Sequence, residues 1–128
     1  AYGHAVNQAG LYRAEDHVVG TMVFQTGVVG VASWFFTSFE DHDETIVTGT
    51  EGQIRFTTFT PEPVTITTSD GKCSQLDLGF PEHVHAPLIQ SIVNEMNGVG
   101  FCTSTGESAK RASWVMDKFL AQYKYQEN

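Results

Sequence analysis

The chain of 128 residues is 41% hydrophobic, sufficient for a buried core without disulfide or metal staples. Seven Lys and Arg against 15 Asp and Glu give a formal charge of −8, which repels phosphate backbones and anionic headgroups and argues against nucleic acid and membrane surfaces as partners. The longest apolar run, Val28 to Phe36, is broken by Gly30 and Ser33 and falls far short of the about 20 residues a spanning helix needs.

Ala1-Tyr2-Gly3 opens the chain with no initiator Met, basic n-region or apolar h-region, so no targeting signal is visible and an upstream part reads as removed. Residues 3 to 80 then read as strands and 84 to 124 as helices. That segregation predicts α+β: an open, mainly antiparallel sheet with two C-terminal helices packed on one face. Val18 to Phe24 and Val28 to Thr37 flank Gln25-Thr26-Gly27, a hairpin connection. Thr45 to Thr48 and Gln53 to Phe59 flank Gly49-Thr50-Glu51-Gly52, whose glycines can supply positive φ. Val64 to Thr68 and Ser74 to Leu78 flank Ser69-Asp70-Gly71-Lys72, where Asp-Gly predicts a type I′ turn.

The later strands alternate as a half-solvated sheet should, Val64, Ile66 and Thr68 against Thr65 and Thr67, and Ile54 and Phe56 against Arg55 and Thr57. The central strand does not. Val28, Ala32, Trp34 and Phe36 share one face and Val29, Val31 and Phe35 the other. Both faces then need cover: helices on one side, a second domain or subunit on the other.

Pro87 fits the first turn of a helix whose Leu88, Ile89, Ile92, Val93 and Met96 keep helical spacing until Asn97-Gly98. The second helix is predicted to start at Ser104, capped in a box with Glu107, with Ala112, Met116, Phe119 or Leu120, and Tyr123 as its core stripe. Trp114 falls to one side of that stripe, to dock on the sheet or a neighbour. No repeat, low-complexity tract or linker interrupts the sequence, so residues 1–128 read as one domain.

A dinucleotide site needs a strand, a Gly-rich turn and a helix N-terminus, usually as GxGxxG, and that signature is absent. Gly27-Val-Val-Gly30 and Gly49-Thr-Glu-Gly52 lie between strands and read as hairpin turns. No Walker loop, nucleophile elbow or HExxH is present. Cys73 and Cys102 lack CxxC spacing and read as two partly buried thiols. Glu82-His83-Val84-His85 has metal-ligand chemistry, but a site there needs a further ligand such as His4, His17 or His42, and solvated or capping histidines are the simpler reading. No metal is therefore assigned. Glu40-Asp41-His42-Asp43-Glu44 reads first as a solvated loop. Its functional alternative places Asp41 and His42 at a strand end, able to hydrogen-bond the hydroxyls of a sugar or polyol.

Taken in order, four phrases resemble the GFO/IDH/MocA oxidoreductases, named for glucose-fructose oxidoreductase and inositol dehydrogenase. They are Val18-Val19-Gly20-Thr21-Met22-Val23-Phe24 with Gly27; Thr45-Ile46-Val47-Thr48-Gly49-Thr50-Glu51-Gly52-Gln53-Ile54-Arg55-Phe56; Pro87 to Val93; and Ser104 to Asp117. The second is similar to the family's Ile-x-Gly-Thr-x-Gly-x-Ile block, and together they span nearly the whole chain. The resemblance implies the C-terminal sheet domain of a two-domain enzyme whose N-terminal Rossmann domain, absent from this sequence, binds NAD or NADP. Family members oxidise or reduce a sugar or polyol carbon by hydride transfer.

The resemblance also implies a catalytic Lys in a Glu-Lys-Pro motif, and an Asp and a His on a helix ahead of the sheet. Lys72, Lys110, Lys118 and Lys124 lie in no such motif, and the chain starts after that helix. No catalytic or cofactor-binding residue can be assigned here, and the chain alone is expected to be inactive. By position, Phe39, Asp41 and His42 are the substrate-side residues the resemblance implies. It further implies a homodimer or higher oligomer through the outer sheet face and a cytoplasmic location. The alternative from another class is a freestanding α+β module binding a small ligand or a protein; a metal-dependent enzyme using His83 and His85 ranks third.

Overall fold

The computed structural model describes residues 1–123; Lys124, the last residue of the predicted helical region, lies outside them. Over the described residues the fold is α+β, with seven strands in two wholly antiparallel sheets followed by helices α1 (Ala86–Met96) and α2 (Gly106–Phe119). The chain divides into two compact units, Ala1–Phe39 with the segment from Cys102 onward, and Glu40–Phe101.

The first unit holds β1 (Tyr2–Val6), β2 (His17–Val23) and β3 (Val29–Phe35), in the order β1-β2-β3. The β2–β3 hairpin closes as predicted. Gly27 N donates to Phe24 O and Phe24 N to Val28 O, both at 2.9 Å, with Gly27 at φ 87°. This is a turn followed by one left-handed residue, a role that glycine fills without a Cβ penalty.

Alternation then separates the two faces of this sheet. Gly3 and Ala5 of β1 and Val18 and Gly20 of β2 are buried, and α2 packs against both strands. Gly3 lies directly opposite Gly20, and Phe119 sits on this flat glycine pair, only 3% exposed. Ala5 and Val18 complete the core, with Met22, Val115, Leu120 and Tyr123 packed around it. The Trp34 ring lies 6.1 Å from that of Phe119.

Of the predicted stripe, Phe119, Leu120 and Tyr123 reach the core, whereas Ala112 and Met116 are exposed and Val115 packs there instead. Phe119 sits on the glycine pair at closest approach, which turns Val115 rather than Met116 toward the sheet. Trp114 is also exposed, with Lys118 Nζ 5.6 Å from its ring centroid. The cap of α2 is Thr105 rather than Ser104. Thr105 Oγ1 accepts from Ser108 N (3.2 Å) and Ser108 Oγ from Thr105 N (2.9 Å), so Ser108 completes the box that was assigned to Glu107.

The second unit holds β4 (Thr45–Gly49), β5 (Gly52–Phe56), β6 (Val64–Thr68) and β7 (Cys73–Leu76), paired in sequence order. Gly52 is required on two counts: its φ is 152°, and a Cβ there would lie 2.2 Å from Thr67 O. The β6–β7 turn corrects one expectation. Gly71 has φ 84° but Asp70 is not left-handed, whereas type I′ needs both central residues at positive φ. Gly71 N instead donates to Thr68 O and Thr68 N to Lys72 O, both 2.9 Å, repeating the three-residue geometry of the β2–β3 hairpin.

Register places Val47, Ile54, Ile66 and Ser74 in one row and Ile46, Arg55, Thr65 and Gln75 in the next, so the predicted alternation of β5 and β6 holds. Helix α1 begins one residue before Pro87 and ends at Met96 with Asn97 as its C-cap and Gly98 at φ 70° beyond it. Helix α2 packs on the first sheet, whereas α1 contacts no other element among the described residues. Cys102 is buried and Cys73 exposed, and none of the described helices is long and apolar enough to cross a membrane.

Candidate functional site

Phe39 closes the first unit, and Asp41 and His42 open the second. All three are exposed, Phe39 completely. His42 engages the start of β4, its Nε2 3.9 Å from Glu44 Oε2, and Glu44 Oε1 in turn accepts from Arg55 Nη1 at 2.9 Å. Arg55 is the register partner of Ile46, so Glu44 and Arg55 form a diagonal cross-strand pair on the polar face. Exposed pairs of this kind contribute about 0–1 kcal/mol.

The residue that fixes this segment is Asp43. Its Oδ2 accepts from Thr58 N (2.8 Å) and Phe59 N (2.6 Å), which draws those two amides off the strand and ends β5 at Phe56 instead of the predicted Phe59. The acidic run reads first as a solvated loop, with Asp41 and His42 as the functional alternative, yet the carboxylate of Asp43 is structural. Its partners lie 15 and 16 residues further along the chain, a separation that gives no sequence signal. Chemically, the segment offers a carboxylate and an imidazole at a strand end, the types that hydrogen-bond hydroxyl groups.

A second polar cluster carries no motif and was not predicted. Asp16, 1% exposed, takes Gln8 N on Oδ1 and Ala9 N on Oδ2, both at 2.7 Å. Its backbone N donates to Val6 O (3.0 Å) and its carbonyl accepts from Phe36 N (2.9 Å), tying β1 and β3 together at the head of β2. The Gln8 hydrogen bond chiefly, with that from Ala9, holds this carboxyl below its ordinary value of 3.8; burial opposes the shift without reversing it. Beside it, His17 Nδ1 donates to Gln8 Oε1 (3.1 Å) and the ring packs edge-on to Phe35, centroids 3.6 Å apart. Tyr123 Oη donates to Arg13 O at 2.9 Å, fastening the segment that follows α2 to the same loop. These bonds are directed inward and organise the fold.

His83 and His85 line an open cleft of about 770 Å³ at the N-terminus of α1, with Glu82, Val84, Ile89 and Gln90. His85 is the N-cap of α1 but makes no side-chain capping bond. Among the described residues no three His, Cys, Asp or Glu side chains are grouped to hold a metal ion.

The outer face of the first unit's sheet exposes several apolar side chains. Register aligns Tyr2, Thr21 and Val31, then His4, Val19 and Ser33, then Val6, His17 and Phe35, with Val23 opposite Val29. Val31 is 81% exposed, and Tyr2, Val23, Val29 and Phe35 are also open to solvent. This is the face that the sequence pattern of β3 marked as needing a second cover. On the opposite face α2 covers β1 and β2, whereas Val28, Trp34 and Phe36 stay exposed.

No family model matches the chain. One curated protein resembles most of it. Over 107 residues, 83% of this chain, it is 32% identical to the protein named Oxidoreductase P35 from Formosa agariphila. The match covers 32% of that relative, so the chain spans about a third of the length of the curated protein it matches.

Proposed function

We propose that this chain is the non-catalytic, substrate-side and oligomerisation part of an NAD(P)-dependent sugar or polyol oxidoreductase of the GFO/IDH/MocA type. The observation that carries the reading is the two-sided first sheet. On one face Phe119 of α2 covers β1 and β2, and the other presents Val23, Val29, Val31 and Phe35 to solvent. Apolar faces of that kind mark interaction surfaces. Similarity to part of a protein named an oxidoreductase supports the same reading, as does the ordered set of family-like phrases.

In this reading the outer face pairs with a second copy, and a separate nucleotide-binding domain supplies NAD or NADP and the catalytic groups. Phe39, Asp41 and His42 contribute one wall of the substrate site, with Asp41 accepting from substrate hydroxyls. Two measurements test it. Light scattering at tens of micromolar should give twice the 14.1 kDa chain mass, and Val31→Glu should return the monomer mass, because a charge would then be buried without a partner. A monomer before substitution refutes the pairing. Fluorescence titration with NADH should show no binding, since no Gly-rich strand–turn–helix cradles a pyrophosphate; micromolar affinity would refute the assignment of the nucleotide to another domain.

A further inference from the structure

We draw no further inference here: the strongest candidate, the exposed apolar stripe of α1 formed by Leu88, Ile89, Ile92, Val93 and Met96 together with the open cleft at that helix's N-terminus, carries nothing because nothing in the structure shows what covers it.

Discussion

Replacing either glycine under Phe119 should destabilise the first unit, but by separable routes. A Cβ at Gly3 would lie 2.7 Å from the Phe119 Cα and 2.8 Å from Val19 O, both backbone atoms, about 0.7 Å inside the 3.4 Å at which ordinary contact begins. Relief requires α2 to lift or β1 to shift. At Gly20 the near atoms are Phe119 Cε1 and Cζ at 2.4 Å, the far end of a side chain. Neither glycine is left-handed, so alanine would otherwise stabilise by about 0.4–1 kcal/mol through the unfolded state. Overpacking costs about 1–3 kcal/mol and wins. The expected net loss for Gly3→Ala is about 1–2 kcal/mol, a fall in Tm of roughly 3–8 °C for a domain of this size.

A double-mutant cycle with Phe119→Leu, followed by urea unfolding, separates the two glycines. Shortening the ring should recover most of the Gly20→Ala penalty, with a coupling of about 1 kcal/mol or more. It should recover less of the Gly3→Ala penalty, because the Phe119 Cα and Val19 O remain in place. Gly3→Ala with an unchanged or raised Tm, or equal rescue at both positions, would refute the glycine-seat argument.

Asp16→Asn tests the clasp by pH. The Asp16 pKa is lowered in the fold, so its contribution is complete above the unfolded value near 3.8 and is lost as pH falls through the lower folded value. The variant should have the lower Tm at neutral pH and a shallower fall in Tm below pH about 4; parallel pH profiles would contradict this. Gly52→Ala combines a strained φ with a Cβ 2.2 Å from Thr67 O, whereas a Cβ at Gly49 meets nothing nearer than 3.9 Å. Thermal melts should show a loss of about 2 kcal/mol or more for the former and clearly less for the latter, and equal losses would count against the close-approach argument. Asp43→Ala should speed amide exchange at Thr58 and Phe59, while Arg55→Ala leaves those amides protected; unchanged exchange in Asp43→Ala would show that the carboxylate does not hold the corner.

Much of the fold was legible because its signals are local. Gly27 and Gly71 mark their turns by conformational freedom, Pro87 and Gly98 bracket α1, and period-2 alternation identifies the faces of β5 and β6. What was misread depends on choices between close alternatives. Asp70-Gly71 is compatible with two turn geometries, and Ser104 and Thr105 are both competent caps, so only hydrogen-bond placement distinguishes them. The choice of Val115 over Met116 on α2 was illegible because it depends on Gly3 facing Gly20, a pairing seventeen residues apart that leaves no pattern in either strand. The candidate site was less legible still. Asp41 and His42 stand out as chemistry-bearing types, yet the structural work in that run falls to Asp43, whose partners are backbone amides and have no side-chain signature.

The position of β3 at the margin of its sheet has a consequence for handling the protein. From Val29 to Phe35 it contains no charge and no proline, and among the described residues no strand pairs with its outer side. Natural edge strands usually carry lysine, proline or a bulge to block the addition of further strands. A strand without these devices offers its exposed N–H and C=O groups to any extended segment that meets it. Concentrated solutions should therefore lose protein to β-rich aggregates, and a lysine at Ser33 should slow that loss by placing a gatekeeper charge on the strand.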